Sequence, residues 1–273
     1  MIHWFPGHMT KALRELAAEL KNVDAVIYVL DARAPISSIN PQLDEILGTK
    51  KRLFVLNKKD LIAKDDEQRF VKYFEDEGFT CIAADSGNKS EAKKIIAKLA
   101  ELNAPDIARY AAKGVKKIIR AEVVGVPNSG KSTMINSLLP RAKAKTGDKP
   151  GVTRGKQWIS VTPHIELLDT PGVLYPDFSD ETKAFKLALL GSIKDERYDD
   201  TEIAVQALSL FMKKYPQEVC KRFNISAEKG NYLESIAVSR GLMMKGGIPD
   251  IEKAAKTVIT DFRSGLIGKI SLD

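Results

Sequence analysis

The sequence predicts an α/β protein, a mainly parallel sheet with helices on both faces, followed by a smaller all-α region. Three observations carry this expectation. Apolar runs of strand length alternate with longer amphipathic stretches from Ala25 to Asp169. A glycine-bearing stretch, Gly125-Val126-Pro127-Asn128-Ser129-Gly130-Lys131-Ser132, sits between one such run and a helical pattern. Beyond Val173 the strand pattern stops and only helical spacing remains.

Taken in order, Thr10–Lys21 has the spacing of an amphipathic helix, and Ala25-Val26-Ile27-Tyr28-Val29-Leu30 reads as a buried strand ending at Asp31. Further strands are centred on Leu53–Leu56, Phe79–Ala83, Ala121–Gly125 and Ile165–Leu168, with Gln157–Thr162 as an edge strand. Helices fill the intervals, as at Asp66–Glu77, Glu91–Leu102 and Ser132–Leu139, the last stopped by Pro140. The helical region then offers Thr182–Leu190, Thr201–Lys214, Asn231–Arg240 and Ile251–Arg263, where Ile203, Leu208, Phe211 and Met212 form a stripe best read as core. The expected division is 1–176 for the α/β domain and 177–273 for the helical one. Asp31, Asn57, Gly125 and Asp169 all fall at carboxyl ends of strands, where open α/β sheets bind ligands.

The chemistry follows from the residue types. G-x-x-x-x-G-K-S is a complete P-loop pattern, whose backbone N–H groups wrap phosphate oxygens and whose glycines stand where a Cβ would collide or φ turns positive. It opens a helix, so the first amides and the helix dipole favour an anion. Ser129, Gly130, Lys131, Ser132 and Thr133 are thus candidate phosphate contacts, with Lys131 reaching the β and γ phosphates and Ser132 ligating Mg²⁺. Asn57-Lys58-Lys59-Asp60 follows another buried strand. A carboxylate there, Asp60, accepts from guanine N1–H and the 2-amino group, whereas adenine offers no such donor pair. Asn57 would tie this loop to the P-loop, and the Lys58 stem would lie over the base. A polar strand–helix turn is the plain alternative for this tetrapeptide alone; beside a P-loop the guanine reading is the stronger.

In most GTPases the base-reading motif comes after the P-loop, and here it comes before. The expectation is therefore a circularly permuted GTPase domain that binds GTP or GDP. Asp169-Thr170-Pro171-Gly172 follows a strand and supplies the D-x-x-G switch, Asp169 acting on Mg²⁺ through water and the Gly172 N–H bonding the γ-phosphate. A mobile threonine is needed between Ser132 and Asp169; Thr153 is preferred on motif context, with Thr146 as the competitor.

Trp4-Phe5-Pro6-Gly7-His8-Met9, Asp31-Ala32-Arg33-Ala34-Pro35, Asn57–Asp60, Gly125–Ser132, Pro150-Gly151-Val152-Thr153 and Asp169–Gly172 occur in one order. In this the chain resembles the YlqF/RbgA family of ribosome biogenesis GTPases. The resemblance runs nearly end to end, through Lys245-Gly246-Gly247-Ile248-Pro249-Asp250 and Phe262-Arg263-Ser264-Gly265. It implies a permuted GTPase domain, a helical C-terminal domain and a late role in assembling the large ribosomal subunit. It also implies a fifth guanine-contacting loop after Phe79–Ala83, where the Ala84 N–H is the candidate donor to guanine O6, although Ala83 departs from the serine often found in related proteins. Val173 stands where many GTPases place a water-orienting glutamine. The resemblance assigns that task to His8, one of three histidines, with a near-neutral pKa suited to it; the alternative is a packing residue at a helix entry. In related GTPases an Asn at the Asn128 position helps hold K⁺ against the phosphates, and an Asn that merely suits the turn is the alternative. Asp31 and Arg33 either support the site or form a purely structural loop.

Composition agrees with a protein able to bury a sizeable core, with hydrophobic residues at 44% and a formal net charge of +7. The sequence carries no 18-residue apolar run and no signal-peptide pattern, so a cytoplasmic protein with no membrane partner is expected. Cys81 and Cys220 have neither disulfide nor metal spacing. Charge is uneven: residues 109–158 hold twelve Lys or Arg against two acidic residues, while basic and acidic residues balance from Pro176 onward. The excess suggests rRNA phosphate contacts near the switch, read by shape and backbone since no RNA-binding signature is present; a solvated basic face is the alternative. No DNA partner and a monomer are expected. The permutation makes Leu174–Ser179 lead from the switch into the helical domain, so nucleotide state is expected to bias that domain. The competing functions are an RNA-binding scaffold that keeps GTP as a structural ligand and a regulatory GTPase with a non-ribosomal partner, the latter without any lipidation motif to support it.

Overall fold

β1 (Ala25–Asp31) is buried along its whole length because helices cover both faces of the sheet at its centre. The computed structural model describes residues 13–14, 16–139, 157–169, 180–228 and 230–273. Around β1 lie β2 (Lys51–Asn57), β3 (Thr80–Ala84), β4 (Ile119–Val124), β5 (Gln157–Thr162) and β6 (Ile165–Asp169), in spatial order β3-β2-β1-β4-β6-β5. All neighbours pair in parallel except β5 and β6, which form an antiparallel edge. β4, which leads into the P-loop, sits in the middle. The half of the sheet that carries Asn57–Asp60 precedes it in the chain, which is the permuted connectivity.

Alternation assigns each side chain its layer. Val26, Tyr28 and Leu30 of β1 join Phe54 and Leu56 in one core, under Phe70 and Phe74 of the helix α2 (Lys64–Asp76). The intervening Ile27 and Val29 join Leu53 and Val55 in the opposite core, with Ile95 and Leu99 of α3 (Lys89–Leu102) and Met134 and Ile135 of α5 (Lys131–Leu138). Phe54 is the aromatic centre of the first layer, stacked on Tyr28 at 5.3 Å and on Phe74 at 4.6 Å.

Helix ends follow local chemistry. Asp65, Asp66 and Glu67 crowd the first turn of α2, where the dipole favours anions. Asn88 caps α3 by accepting from the Ser90 N–H. Two further helices of this unit, α1 (Pro41–Leu47) and α4 (Ala104–Ala111), occupy intervals that the apolar pattern does not specify. Both carry Pro in the first turn, and Asn40 caps α1, so their start signals are present in short, weakly periodic segments. Of the expected Thr10–Lys21 helix, residues 13–14 and 16–19 are helical and Leu20–Asn22 is a 3-10 turn; the remainder lies outside the described residues.

Residues 180–272 form a second unit that is helical throughout apart from turns and one isolated bridge, Met243 to Pro249. Its helices are α6 (Glu181–Leu189), α7 (Asp200–Lys214), α8 (Pro216–Phe223), α9 (Tyr232–Ser239) and α10 (Ile251–Arg263). Asp180, Asp199 and Asp250 cap α6, α7 and α10. Ile203, Leu208 and Phe211 are buried, and Phe211 stacks on Phe262 at 5.3 Å. Arg263 closes α10 by donating to the carbonyl oxygens of Ala188 and Leu189.

Candidate functional site

The register of the sheet assembles the site. Asp31 lies opposite Asn57, Asn57 opposite Ala84, and Asp169 opposite Val123, so four strands end in one row beside the P-loop. The loop itself needs its glycines. Gly125 has φ 144°, and a Cβ there would collide with the Val29 carbonyl oxygen of the neighbouring strand. Gly130 has φ 99°, and a Cβ would strike the Asn57 amide. Asn128, at φ 61°, is a left-handed residue of the type that tolerates this conformation.

Asn57 is the joint between loops. Its Nδ2 donates to the Ser129 carbonyl oxygen at 2.7 Å, and its Oδ1 accepts from the Ser86 N–H at 3.0 Å. Ser137 of α5 donates from Oγ to the Ser86 carbonyl oxygen at 2.8 Å, bracing the same loop from the other side. Sequence reasoning missed Ser86 and Ser137, since only the approach of α5 to β3's end brings them together.

Lys58, also left-handed at φ 61°, donates from Nζ to Asp31 Oδ2 and to the Asn128 carbonyl oxygen, both at 2.8 Å. Asp60 stands in a 3-10 turn, Lys59–Leu61, exposed and without a hydrogen-bond partner among the described residues. It therefore retains both carboxylate oxygens for a ligand. Ala84 is buried as the last residue of β3, with Asp85, Ser86 and Gly87 following it in the loop.

At the phosphate end Lys131 is buried, and its ammonium donates to the carbonyl oxygens of Val126 at 2.8 Å and Gly125 at 3.1 Å. Burial pulls its pKa down to about 8, against the opposing pull of the Asp169 carboxylate. Asp169 is held in the opposite sense: burial raises its carboxyl, and the Lys131 charge and the Ser132 hydrogen bond only partly offset this. Ser132 Oγ donates to Asp169 Oδ2 at 3.3 Å, while Asp169 Oδ1 is buried without a partner among the described residues. An unpaired buried carboxylate oxygen beside a hydroxyl is a donor set of hard oxygens, which fits Mg²⁺; that ion takes few protein ligands and completes its shell with phosphate and water. Thr133 is exposed at the start of α5.

His8, Thr146, Thr153, Gly172, Val173 and Leu174–Ser179 lie outside the described residues. So does much of the basic run, from 140 to 156. Within the described part several of its charges are already used: Arg109 pairs with Asp106, Lys117 with Asp24 and Arg120 with Glu166. Lys113 and Lys116 are exposed. Cys81 is buried and its thiol is pushed up to about 12 by that burial, so it is no nucleophile. No described helix is long and apolar enough to cross a membrane.

A family model described as 50S ribosome-binding GTPase matches residues 120–219, beginning within β4. The chain is 42% identical to "Ribosome biogenesis GTPase A" of Priestia megaterium over 277 aligned residues, covering 100% of this chain and 96% of that protein. It is 34% identical to "Mitochondrial ribosome-associated GTPase 1" of Mus musculus, covering 99% of this chain and 89% of that protein. Among solved structures, GDP-bound YlqF superposes with a TM-score of 0.70 at 31% identity, covering 95% of this chain and 98% of that one. GNP-bound YlqF from T. maritima gives 0.69 at 31% identity, covering 96% and 97%.

Proposed function

Because the chain belongs to the ribosome biogenesis GTPase A family, we propose that Asn57, Lys58, Asp60 and the P-loop form one guanine-nucleotide site that times a late step of large-subunit assembly. The protein is a GTP-hydrolysing enzyme. The observation that carries the site assignment is Asn57, bonded at once to Ser129 of the P-loop and Ser86 of the loop after β3. Base and phosphate recognition thereby share one rigid frame.

In this proposal Asp60 reads the guanine N1–H and 2-amino group, and the Ala84 N–H, at the entry to the 85–87 loop, is the donor to guanine O6. Ser129, Gly130 and Thr133 line the phosphates. Lys131 leaves the Val126 and Gly125 carbonyls and pairs with phosphate oxygens, regaining in that contact the charge its burial disfavours. Ser132, Asp169 and Thr153 would hold Mg²⁺, which would supply positive charge to neutralise charge developing on the phosphates. The Gly172 N–H bonds the γ-phosphate. His8 orients the attacking water, the role Val173 has no chemistry to fill. Asn128 takes part in holding K⁺.

We further propose that the GTP form binds the maturing large subunit in the cytoplasm through rRNA phosphate contacts of the 109–158 basic run, and that hydrolysis releases the protein. The division into a GTPase domain, 1–176, and a helical, rRNA-contacting domain, 177–273, belongs to this proposal, as does a monomeric state with no DNA partner. GTP turnover measured with and without purified large subunits, in KCl and in matched NaCl, tests it. Stimulation by large but not small subunits supports the assembly role, and a KCl requirement supports the Asn128 assignment. Tight GTP binding with no stimulation would move the function to another RNA partner.

A further inference from the structure

We infer that Asp31 is a positioning residue for guanine-nucleotide binding: its carboxylate holds the Lys58 ammonium where it clamps the base-reading loop to the P-loop. The inference rests on the nucleotide site proposed above and adds to it a residue outside both motifs.

Asp31 closes β1 at 2% exposure and is bonded at both oxygens. Oδ1 accepts from the Arg33 backbone N–H at 3.1 Å and from Arg33 Nε at 2.9 Å. Oδ2 accepts from an Arg33 terminal nitrogen and from Lys58 Nζ, both at 2.8 Å. The Arg33 side chain, itself 2% exposed, grips the carboxylate as a two-pronged fork, so Asp31 cannot rotate to follow a wandering partner. Burial alone would raise the Asp31 carboxyl, yet Arg33 and Lys58 hold it well below the usual carboxylate range. It is a fixed negative charge at every working pH.

Lys58 depends on that charge. Its side chain is 28% exposed, and a free lysine there would sample water. Held by Asp31, its ammonium also donates to the Asn128 carbonyl oxygen. Lys58 and Asn128 are two of the three non-glycine residues with positive φ among those described, and one ammonium stabilises the turn at both. Loss of the Asp31 charge therefore frees the lysine, relaxes the P-loop at Asn128, and lets the base-reading loop drift from the phosphates. A residue that merely braced the fold would have no reason to act through Lys58.

The test uses the full chain as wild type, Asp31→Asn, Lys58→Met and the double variant, with GDP dissociation constants and GTP steady-state kinetics. Asp31→Asn is expected to raise KM for GTP and Kd for GDP about tenfold, with kcat at saturating GTP within about twofold. In the Lys58→Met background the same change is expected to add less than about twofold. Unchanged KM with a smaller active fraction or a lower melting temperature would overturn the inference, as would an undiminished tenfold effect beside Lys58→Met. If Asp31→Asn does not fold, Asp31→Glu keeps the charge for Arg33 but displaces it by a methylene. In that cycle, coupling to Lys58→Met above about threefold supports the inference and additivity overturns it. A Lys58→Met variant that binds GDP as the wild type does would also overturn the inference, whereas a wild-type protein that binds no GDP would sink the nucleotide-site assignment itself.

Discussion

Asn57 Nδ2 donates to the Ser129 carbonyl oxygen at 2.7 Å, joining the end of β2 to the middle of the P-loop across 72 positions of sequence. The same amide accepts from Ser86, so one side chain satisfies a buried donor and a buried acceptor on two different loops.

Asn57→Ala should strand both groups. Each buried polar group left unsatisfied costs about 1–3 kcal/mol, so the variant should lose about 2–6 kcal/mol of stability. GDP affinity should fall further than stability alone accounts for, because both loops lose their shared anchor. Urea unfolding with and without GDP measures the two effects separately; equal loss in both would contradict the joint role.

Gly130→Ala tests the same contact from the other partner. At φ 99° an alanine is strained, and its Cβ would displace the Asn57 amide. The expected outcome is nucleotide binding reduced at least tenfold, with far-ultraviolet circular dichroism unchanged. Retained binding would show that the P-loop tolerates separation from Asn57.

Lys131 predicts a proton-linked affinity. Its pKa near 8 in this structure lies below the ordinary lysine value of 10.5, so without nucleotide the folded state binds fewer protons than the unfolded one between those values. Stability of the nucleotide-free protein should rise with pH across that window. Nucleotide phosphates favour the charged ammonium and raise its pKa, so GDP affinity should fall as pH climbs above about 8, with net proton uptake on binding. Calorimetry in two buffers of different ionisation enthalpy reads the uptake; none at pH 8.5 would refute this.

Asp169→Asn should separate stability from function. The raised carboxyl means that ionisation at neutral pH opposes folding, and this cost grows as pH rises through the folded-state pKa. The neutral amide removes it. Without nucleotide the variant should melt no lower than wild type, and it should lose the extra stabilisation that Mg²⁺ adds to GTP. A clear drop in melting temperature would mean that the Ser132 and Lys131 contacts outweigh burial.

Phe54→Ala should do the reverse. Phe54 is buried between Tyr28 and Phe74, away from the strand ends, and truncation of such an aromatic costs about 3–5 kcal/mol. The folded fraction should bind GDP normally, which equilibrium titration below the midpoint would check.

Much of the fold and of the site is legible in the order of residues alone. The strands from β1 to β6 are written in apolar runs that both cores absorb, and Gly125–Ser132 with Asn57–Asp60 point to a nucleotide site by the geometry their residue types demand. Local signals suffice there because backbone freedom, helix capping and alternation act within a few residues. Pro216–Phe223 shows where they thin out: its Pro start is present, but eight residues carry too little periodicity to stand out.

The burial of Ala84, the Ser137 brace on Ser86 and the Asp31–Arg33–Lys58 chain of charge depend on tertiary structure. A side chain reaches only a few ångströms, so which groups meet depends on strand order and register. Those bring Asp31, Asn57 and Ala84 level with one another and set α5 beside the end of β3. The sequence determined which chemistries were present and in what order along the chain, because residue type and spacing dictate them locally. Only the folded sheet decided which of those groups share a hydrogen bond, because that is a property of distance in space and not of separation along the chain.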